Sequence, residues 1–252
     1  MQPLSASGLL EVWERGADRS PVEQALILLA AAYPRTPAEA LANLTIGQRD
    51  ACLLQLRLLT FGPQLNGLAA CPSCGERLEL ALDARDLQGD RLALPEPGSA
   101  EAGSTEAAFT LAPYEVTYRL PTSADLRRLT RLDDPGLARQ QLLEACVLKV
   151  RRGKKTVPAG ELPDDVLAAL GERMGQAGSL ADLTLAVTCP ACRHQWKVLF
   201  DIVSFFWSEI SAWAARLMRE VHILASAYGW READILALSP WRRQRYLELI
   251  GI

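Results

Sequence analysis

Two pairs of cysteines with metal-ligand spacing are the residues of this chain best suited to chemistry. The first pair is Cys71 and Cys74 in Cys-Pro-Ser-Cys, and the second is Cys189 and Cys192 in Cys-Pro-Ala-Cys. Each pair is followed by a short strand-like segment, a pattern typical of a zinc ribbon, in which four thiolates bind one Zn²⁺ tetrahedrally. A closed four-cysteine site stabilises a fold and leaves no open position for catalysis. The sequence therefore predicts one structural zinc ion on these four cysteines.

The cysteines also fit two other interpretations. Redox-active dithiols and disulfides share the Cys-x-x-Cys spacing. His194, two residues after the second pair, is an alternative fourth ligand in place of a cysteine. The two remaining cysteines, Cys52 and Cys146, each lie among leucine or valine residues and are interpreted as core residues.

Residues 75–188 separate the two cysteine pairs, so a shared metal must close a long loop. Doubling a long loop costs only about 0.6 kcal/mol in closure entropy. A structural zinc site contributes an apparent ~10–16 kcal/mol to folding. The free energy of zinc binding therefore exceeds the entropy cost of an inserted subdomain between the two halves of the ribbon.

Capping signals and hydrophobic periodicity predict the elements around the ribbon. The N-terminal part has three capping boxes as helix start signals, at Ser20-Pro21, at Thr36-Pro37 and at Thr45 with Gln48. Alternation of polar and apolar residues predicts strands beside the cysteine pairs. The predicted helices are 21–32, 37–43, 46–60, one opening at Thr122, 135 to about 150, 163 to about 175 and 202–228, and the predicted strands are 77–83, 114–120, 185–188 and 195–199.

These elements predict an α+β protein that is mainly helical, with a split four-cysteine zinc ribbon, an inserted small α/β subdomain and a long C-terminal helical arm. The proline, glycine and serine content of 88–107 predicts a flexible loop. The expected regions are an N-terminal helical region (1–66), the split ribbon (67–87 and 182–201), the inserted subdomain (108–181) and the C-terminal arm (202–252).

The C-terminal arm carries more large apolar side chains than one helix face holds. From Ile202 to Tyr228 apolar residues recur at spacings of three and four, which predicts one continuous helical stripe. Such a stripe packs on the body of the protein or on a partner, and both alternatives stay open. Tryptophan, tyrosine and arginine are enriched at interface hot spots. The candidate partner-binding residues are Trp207, Trp213, Trp230, Trp241, Arg242, Arg245 and Tyr246.

The charge of the chain does not favour a nucleic-acid partner. With 27 basic and 30 acidic residues the formal net charge is −3, so no global positive field draws the chain onto a phosphate backbone. The basic run 151–155 is interpreted as a solvated turn, with contact to an acidic protein or nucleic acid as the alternative. Arg242, Arg243 and Arg245 allow DNA contact in a helix-turn-helix-like arrangement.

Membrane and secretory features are not found in the sequence. The longest apolar stretches, Ala25 to Tyr33 and Val198 to Trp207, fall short of the ~20 residues that a membrane helix needs. The first residues have neither the basic nor the apolar region of a signal peptide. We therefore expect an intracellular protein without membrane insertion.

Several segments of the chain together carry a resemblance to one protein family. They are Thr60-Phe-Gly-Pro63, the two cysteine pairs, Arg119-Leu-Pro-Thr-Ser-Ala-Asp-Leu126, and the ending from Glu220 through Ala237-Leu-Ser-Pro-Trp-Arg-Arg-Gln-Arg-Tyr-Leu247. The chain resembles the zinc-ribbon baseplate proteins, often called T4-type baseplate hub or hub-assembly chaperones, of contractile phage tails and phage-tail-like contractile injection systems.

The resemblance implies a non-enzymatic baseplate component or assembly chaperone that binds other baseplate and tail proteins on a zinc-stabilised scaffold. It implies a location in the bacterial cytoplasm or in assembled tail-like particles. The residues agree with a non-enzymatic role, because the sequence has no Walker loop, no Gly-x-Ser-x-Gly elbow and no Rossmann glycine pattern. A zinc-ribbon nucleic-acid-binding protein and a thiol oxidoreductase are the alternatives.

Overall fold

Helices make up most of this structure, a computed structural model that describes residues 1–88, 97, 106–130, 132, 134–177 and 183–251. Small antiparallel sheets complete it, so the predicted mainly helical α+β class and the long C-terminal helix are confirmed. Within the described residues the helices are α1 (Ala6–Gly16), α2 (Pro21–Ala32), α3 (Ala38–Ala42), α4 (Ile46–Phe61), α5 (Ala84–Gln88), α6 (Ser123–Leu129), α7 (Pro135–Cys146), α8 (Asp164–Ala177), α9 (Ile202–Tyr228), α10 (Glu232–Ala237) and α11 (Pro240–Leu249). The strands are β1 (Gln64–Ala70), β2 (Arg77–Asp83), β3 (Glu106–Leu111), β4 (Tyr114–Arg119), β5 (Val147–Arg152), β6 (Lys155–Val157), β7 (Thr184–Thr188) and β8 (Gln195–Leu199).

The N-terminal helices form the largest core with the first turns of α9. Two of the three predicted capping boxes are present, since Ser20 caps α2 with Glu23 and Thr45 caps α4 with Gln48. The box predicted at Thr36 is wrong, because α3 begins after Pro37 and no side chain caps it. The core of this region is built from fully buried aliphatic and aromatic side chains of α2, α4 and α9, including Leu28, Leu53, Phe206 and Ile210. The start of α9 is therefore anchored in the helical region before the arm extends away from it.

Each cysteine pair lies at the tip of its own hairpin, between the two strands. Strand β1 pairs only with β2, and β7 pairs only with β8, among the residues that the structure describes. In each hairpin the apolar side chains alternate onto one face, as in the opposed pairs Leu65 and Leu82 and Leu185 and Val198. These faces meet in a small shared core beneath the cysteines, which includes Leu78, Val187 and Trp196.

The insert is a four-stranded antiparallel sheet, in the order β3-β4-β5-β6, with α7 and α8 packed on it. Val116, Cys146 and Leu170 are the most buried members of its core. It contacts the N-terminal helices through the segment between β4 and α6, where the backbone N–H of Ile46 donates to the carbonyl of Pro121 at 3.0 Å. Helix α6 then lies against α2 and α3.

The long helix α9 spans 27 residues with the predicted bounds. Asp201 caps its start, because its side chain accepts from the backbone N–H of Val203 at 3.0 Å. Gly229 ends it with φ +68°, a left-handed conformation that glycine adopts without steric cost. Helix α11 is held against α9 by an ion pair in which Nε of Arg243 donates to Glu220 at 3.0 Å.

One predicted boundary is wrong. The helix expected from 135 to about 150 ends at Cys146, and Val147–Arg152 form strand β5 instead. The spacing of Leu143, Val147 and Val150 matches a helix, but the segment gains hydrogen bonds by pairing with β4, where Val150 lies opposite Val116. The basic run 151–155 falls in the β5–β6 hairpin, and its side chains are exposed.

Most of the predicted flexible loop, 88–107, falls outside the described residues, although Glu106 and Ala107 belong to β3. In the described part of the chain, no helix has the length and hydropathy of a membrane span.

Candidate metal centre

The four predicted cysteines converge on one point. The Sγ atoms of Cys71 and Cys192 lie 3.6 Å apart, as do those of Cys74 and Cys189, and all four lie within 4.8 Å of one another. Four sulfurs placed tetrahedrally at ~2.3 Å from a zinc ion are separated by about 3.8 Å, so the spacing suits such a site. Each of these two pairs joins one Cys-x-x-Cys turn, or knuckle (71–75 and 189–193), to the other, at well over the ~2.05 Å of a disulfide bond.

The two knuckles share one backbone geometry. The N–H of Gly75 donates to the carbonyl of Cys71 at 2.9 Å, and the N–H of Arg193 donates to the carbonyl of Cys189 at the same distance. Gly75 has φ +78° and Arg193 has φ +59°, so both turns place a left-handed residue directly after the second cysteine. The glycine after Cys74 is the sequence signal for this turn, and the second knuckle lacks it.

Each knuckle has one buried and one exposed cysteine. The first cysteine of each pair, Cys71 or Cys189, is buried, and the second, Cys74 or Cys192, is exposed. Leu78 and Val187 pack beneath the buried pair. The centre thus lies at the surface end of the small core that joins the two hairpins.

The two thiols of the first knuckle are not equally easy to ionise. Burial raises the pKa of Cys71, but hydrogen bonds from the backbone N–H groups of Cys74 and Ser73 outweigh it and lower that pKa to about 7. The backbone N–H of Glu76 lowers the pKa of Cys74, but the other three thiols, together with burial, raise it to about 12. Four thiolates at this spacing repel one another, so a divalent cation is needed to hold them all deprotonated.

The thiol cluster does not include His194. Among the described residues, the group of histidine, cysteine and acidic side chains placed to hold a metal consists of the four cysteines alone. The exposed ring of His194 instead stacks on Trp196, with ring centroids 6.0 Å apart. The geometry favours a four-cysteine centre over one with a histidine ligand.

Cys52 and Cys146 are core residues, as expected. Cys52 is 1% exposed, and its thiol accepts from the hydroxyl of Tyr33 at 3.7 Å. Cys146 is fully buried under the sheet of the insert, and burial raises the pKa of its thiol to about 11. Neither belongs to the metal cluster.

The predicted partner-binding residues are not brought together in one surface. Trp207 and Trp213 pack partly buried against the N-terminal core. The ring of Trp207 lies so close to Gly16 that a Cβ there would come within 2.2 Å of it. Trp230 and Tyr246 pack with Tyr228 in a cluster at the end of α9, where the rings of Trp230 and Tyr246 meet edge to face at 4.8 Å.

Trp241, Arg242 and Arg245 are the candidates that α11 leaves at the surface. The side chain of Trp241 is 67% exposed, and the guanidinium of Arg245 lies 5.3 Å from the centre of its ring. Arg245 also donates to Glu248 at 2.7 Å. The neighbouring Arg243, by contrast, is buried by its ion pair to α9, so the three arginines do not form one basic face.

A closed set of four thiolates can hold a soft divalent cation and has no free position for a substrate. Its residues fit zinc by ligand type, number and spacing. Bound there, the ion would join two hairpins that are far apart in the sequence.

Comparison with protein families gives one match. The family described as T4 bacteriophage base plate protein matches residues 7–207. This range contains all four cysteines and the insert, and it ends in the second turn of α9, so α10 and α11 lie beyond it. Searches of curated proteins and of solved structures give no match. The matched range covers most of the chain, and the chain therefore belongs to the family of T4 bacteriophage base plate proteins.

Proposed function

We propose that the chain is a non-enzymatic component, or an assembly chaperone, of the baseplate of a contractile phage tail or contractile injection system, and that it acts by binding other baseplate proteins. Membership of the base plate family over residues 7–207 is the observation that carries this proposal. A metal centre closed by four protein ligands also supports a structural role, because it offers no position for a reactant.

Zinc on Cys71, Cys74, Cys189 and Cys192 gives the protein its scaffold in this proposal. An isolated two-stranded hairpin is marginally stable in water. Each half of the ribbon is such a hairpin, and the core beneath the cysteines is small. A metal that joins both knuckles therefore fixes the two hairpins and the start of the insert in one arrangement.

The exposed face of α11 is the part of the arm that best suits a partner. It carries Trp241 with the guanidinium of Arg245 over its ring, and Leu249 is 76% exposed near the end of the helix. Tryptophan and arginine are the residues most enriched at interface hot spots. The buried ion pair of Arg243 with Glu220 holds this face in position on α9. The other aromatic candidates pack in the hydrophobic clusters of the arm and the N-terminal core; they are Trp207, Trp213, Trp230 and Tyr246.

The test is to express the whole gene cluster of the tail with a tagged chain and to purify the assembled particles. A structural component is retained in the particles. An assembly chaperone is absent from them, but particle yield falls when it is deleted. Normal yield without the chain, together with its absence from particles, contradicts the proposal.

The arm is tested with Trp241→Ala and Arg245→Ala, which change exposed side chains and preserve the core. The matched control is Leu137→Ala, a change at a 43% exposed leucine on α7 of the insert. We expect co-purification with a baseplate protein to fall about tenfold or more for Trp241→Ala, as for a hot-spot residue, and to stay unchanged for the control.

A further inference from the structure

An apolar groove runs along the ribbon on the side away from the metal. It has a volume of about 370 Å³ and is lined by both hairpins and the first turn of α9. At its rim, Leu68 of β1 is 66% exposed and Leu199 of β8 is 60% exposed. Exposure of such large aliphatic side chains to water is unfavourable, so burying them against a partner would lower the free energy.

The groove follows the outer edges of β1 and β8. Strands β2 and β7 line it only with residues of their inward faces, such as Leu80 and Leu185. Strands β1 and β8 also contribute Leu68 and Leu199, which belong to the opposite faces. A groove that contacts both faces of a strand passes along its edge, and neither edge has a partner strand in the described part of the chain.

The hydrogen-bond pattern identifies which main-chain groups point to these edges. In β1 and its extensions, Pro63 accepts from Ala84 and Cys71 donates to Glu76, so the odd-numbered residues face β2. Because antiparallel ladders alternate, the N–H and C=O of Leu68 face the open edge. In the same way Phe200 donates to Leu183, so the main chain of Leu199 faces the open edge of β8.

Gly67 keeps the groove open. It lies in the middle of β1 on the inward face, opposite Leu80. A Cβ at this position would meet one atom within 4 Å, on the ring of Phe205 at 3.9 Å, an ordinary contact. The conformation is not left-handed, so the fold itself does not require glycine here. Glycine inside a strand weakens it and often marks a site where another backbone approaches closely.

We infer that this groove is a strand-addition site, in which an extended segment of another baseplate protein pairs with the open edge of β1 and places a large apolar side chain over Gly67. Recognition of this kind takes affinity from main-chain hydrogen bonds and specificity from the side-chain pocket. Asp201 is the one charged side chain lining the groove within the described residues, which favours a lysine or arginine beside the apolar residue. The inference rests on the proposed baseplate function.

The test uses the full chain expressed with its tail gene cluster, and a photo-crosslinking amino acid in place of Leu199. We expect it to cross-link to an extended apolar segment of one tail protein. The same amino acid in place of Ala186, an exposed outward residue of β7, is expected not to cross-link to that segment.

Two variants then test the side-chain pocket and the open edge of β1 separately. Gly67→Val fills the groove, with Ala81→Val on the outward face of β2 as its control. Leu68→Pro removes the N–H that faces the open edge and keeps the ladder to β2, with Leu68→Ala as its control for loss of the side chain. We expect Gly67→Val and Leu68→Pro each to lower the cross-linking yield about tenfold, well beyond their controls, at unchanged zinc content.

Several outcomes would overturn the inference. They are cross-linking that is equal for each variant and its control, cross-linking to a second copy of this chain alone, and no cross-link while the chain still supports particle assembly. The last outcome leaves the baseplate function standing. Loss of that function is seen separately, as normal particle yield in the absence of the chain.

Discussion

Arg57 of α4 and Glu209 of α9 form a bidentate ion pair, in which Nε and Nη2 of the guanidinium donate to the two carboxylate oxygens at 2.8 and 2.6 Å. The same guanidinium donates to the carbonyls of Gly62 and Gln64, each at 2.5 Å. Gln64 is the first residue of β1. One buried side chain, 2% exposed, thus joins the helical core, the ribbon and the long helix.

Glu209→Ala should destabilise the protein by about 3–5 kcal/mol, because it leaves a buried guanidinium without its counter-charge. The free energy of unfolding, measured by urea denaturation with zinc present, is the readout. The control is Glu248→Ala, which breaks the exposed pair with Arg245 and should cost at most about 1 kcal/mol. Equal losses for the two variants would mean that the Arg57 pair does not join these elements.

The left-handed turn of the first knuckle gives a second prediction. Gly75→Ala should cost about 1–2 kcal/mol, because a residue with a Cβ is strained at positive φ. Gly160→Ala is the matched control, since Gly160 has no neighbour within 4 Å and no left-handed conformation. It should be neutral or slightly stabilising. Thermal unfolding of the two zinc-loaded variants would contradict the prediction if their midpoints fell equally.

The sequence predicted the elements whose signals are local. Helix α9 has both of its predicted ends, since Asp201 caps one and Gly229 terminates the other. The metal cluster could likewise be predicted, because each Cys-x-x-Cys turn is encoded in a few residues. Convergence of the two turns then follows from the ligand number that zinc requires.

Strands that lack a strand signal in their own residues, such as β1 and β5, were not predicted. Strand β1 is rich in small residues and forms by pairing with β2, and β5 was predicted as the end of a helix because its pairing with β4 is not visible in its own sequence. The packing of the arm on the N-terminal helices was not predicted either. Nothing near Trp207 in the sequence indicates that its ring covers Gly16 of α1.

Asp125 gives a prediction about pH. Burial raises the pKa of its carboxyl, but hydrogen bonds from Arg119 and Thr122 outweigh the burial and hold that pKa below its ordinary value. The stability that this carboxylate contributes is therefore present above the unfolded-state pKa of about 3.9 and is lost as pH falls through the lower folded-state pKa.

In the Asp125→Asn variant this contribution is missing at every pH. Below about pH 4 the free energy of unfolding of the unmodified protein should therefore fall more steeply than that of the variant. Release of zinc by acid affects both proteins equally and cancels in the difference. Parallel pH profiles in chemical denaturation would contradict the assignment.

The metal centre predicts one Zn²⁺ per chain, bound at Zn–S distances of about 2.3 Å. Cys189→Ser should lose the ion and unfold the ribbon, because the buried ligand beneath both knuckles is removed. Cys52→Ala and Cys146→Ala change buried cysteines outside the cluster and should keep the zinc stoichiometry at a cost of about 1 kcal/mol each. Elemental analysis and X-ray absorption at the zinc edge are the measurements. A metal-free native protein, or zinc retained by Cys189→Ser, would contradict the four-cysteine site.

Deletion of residues 229–252 tests whether the end of the arm binds a partner or completes the core. It removes α10 and α11, which pack on α9 through Leu224, Ile235 and Leu247 and on α1 beside Leu10, and it leaves the largest cores of the helical region, the ribbon and the insert intact. We expect the truncated chain to fold with a full complement of zinc, with fraying confined to the last turns of α9.

Because the exposed Trp241 and Arg245 are lost with α11, co-purification with baseplate proteins should be abolished and the yield of assembled particles should fall. Circular dichroism, zinc content and particle yield distinguish the outcomes: an unfolded truncated chain means that the arm is core, and a folded one that still assembles normally means that α11 is not the partner surface.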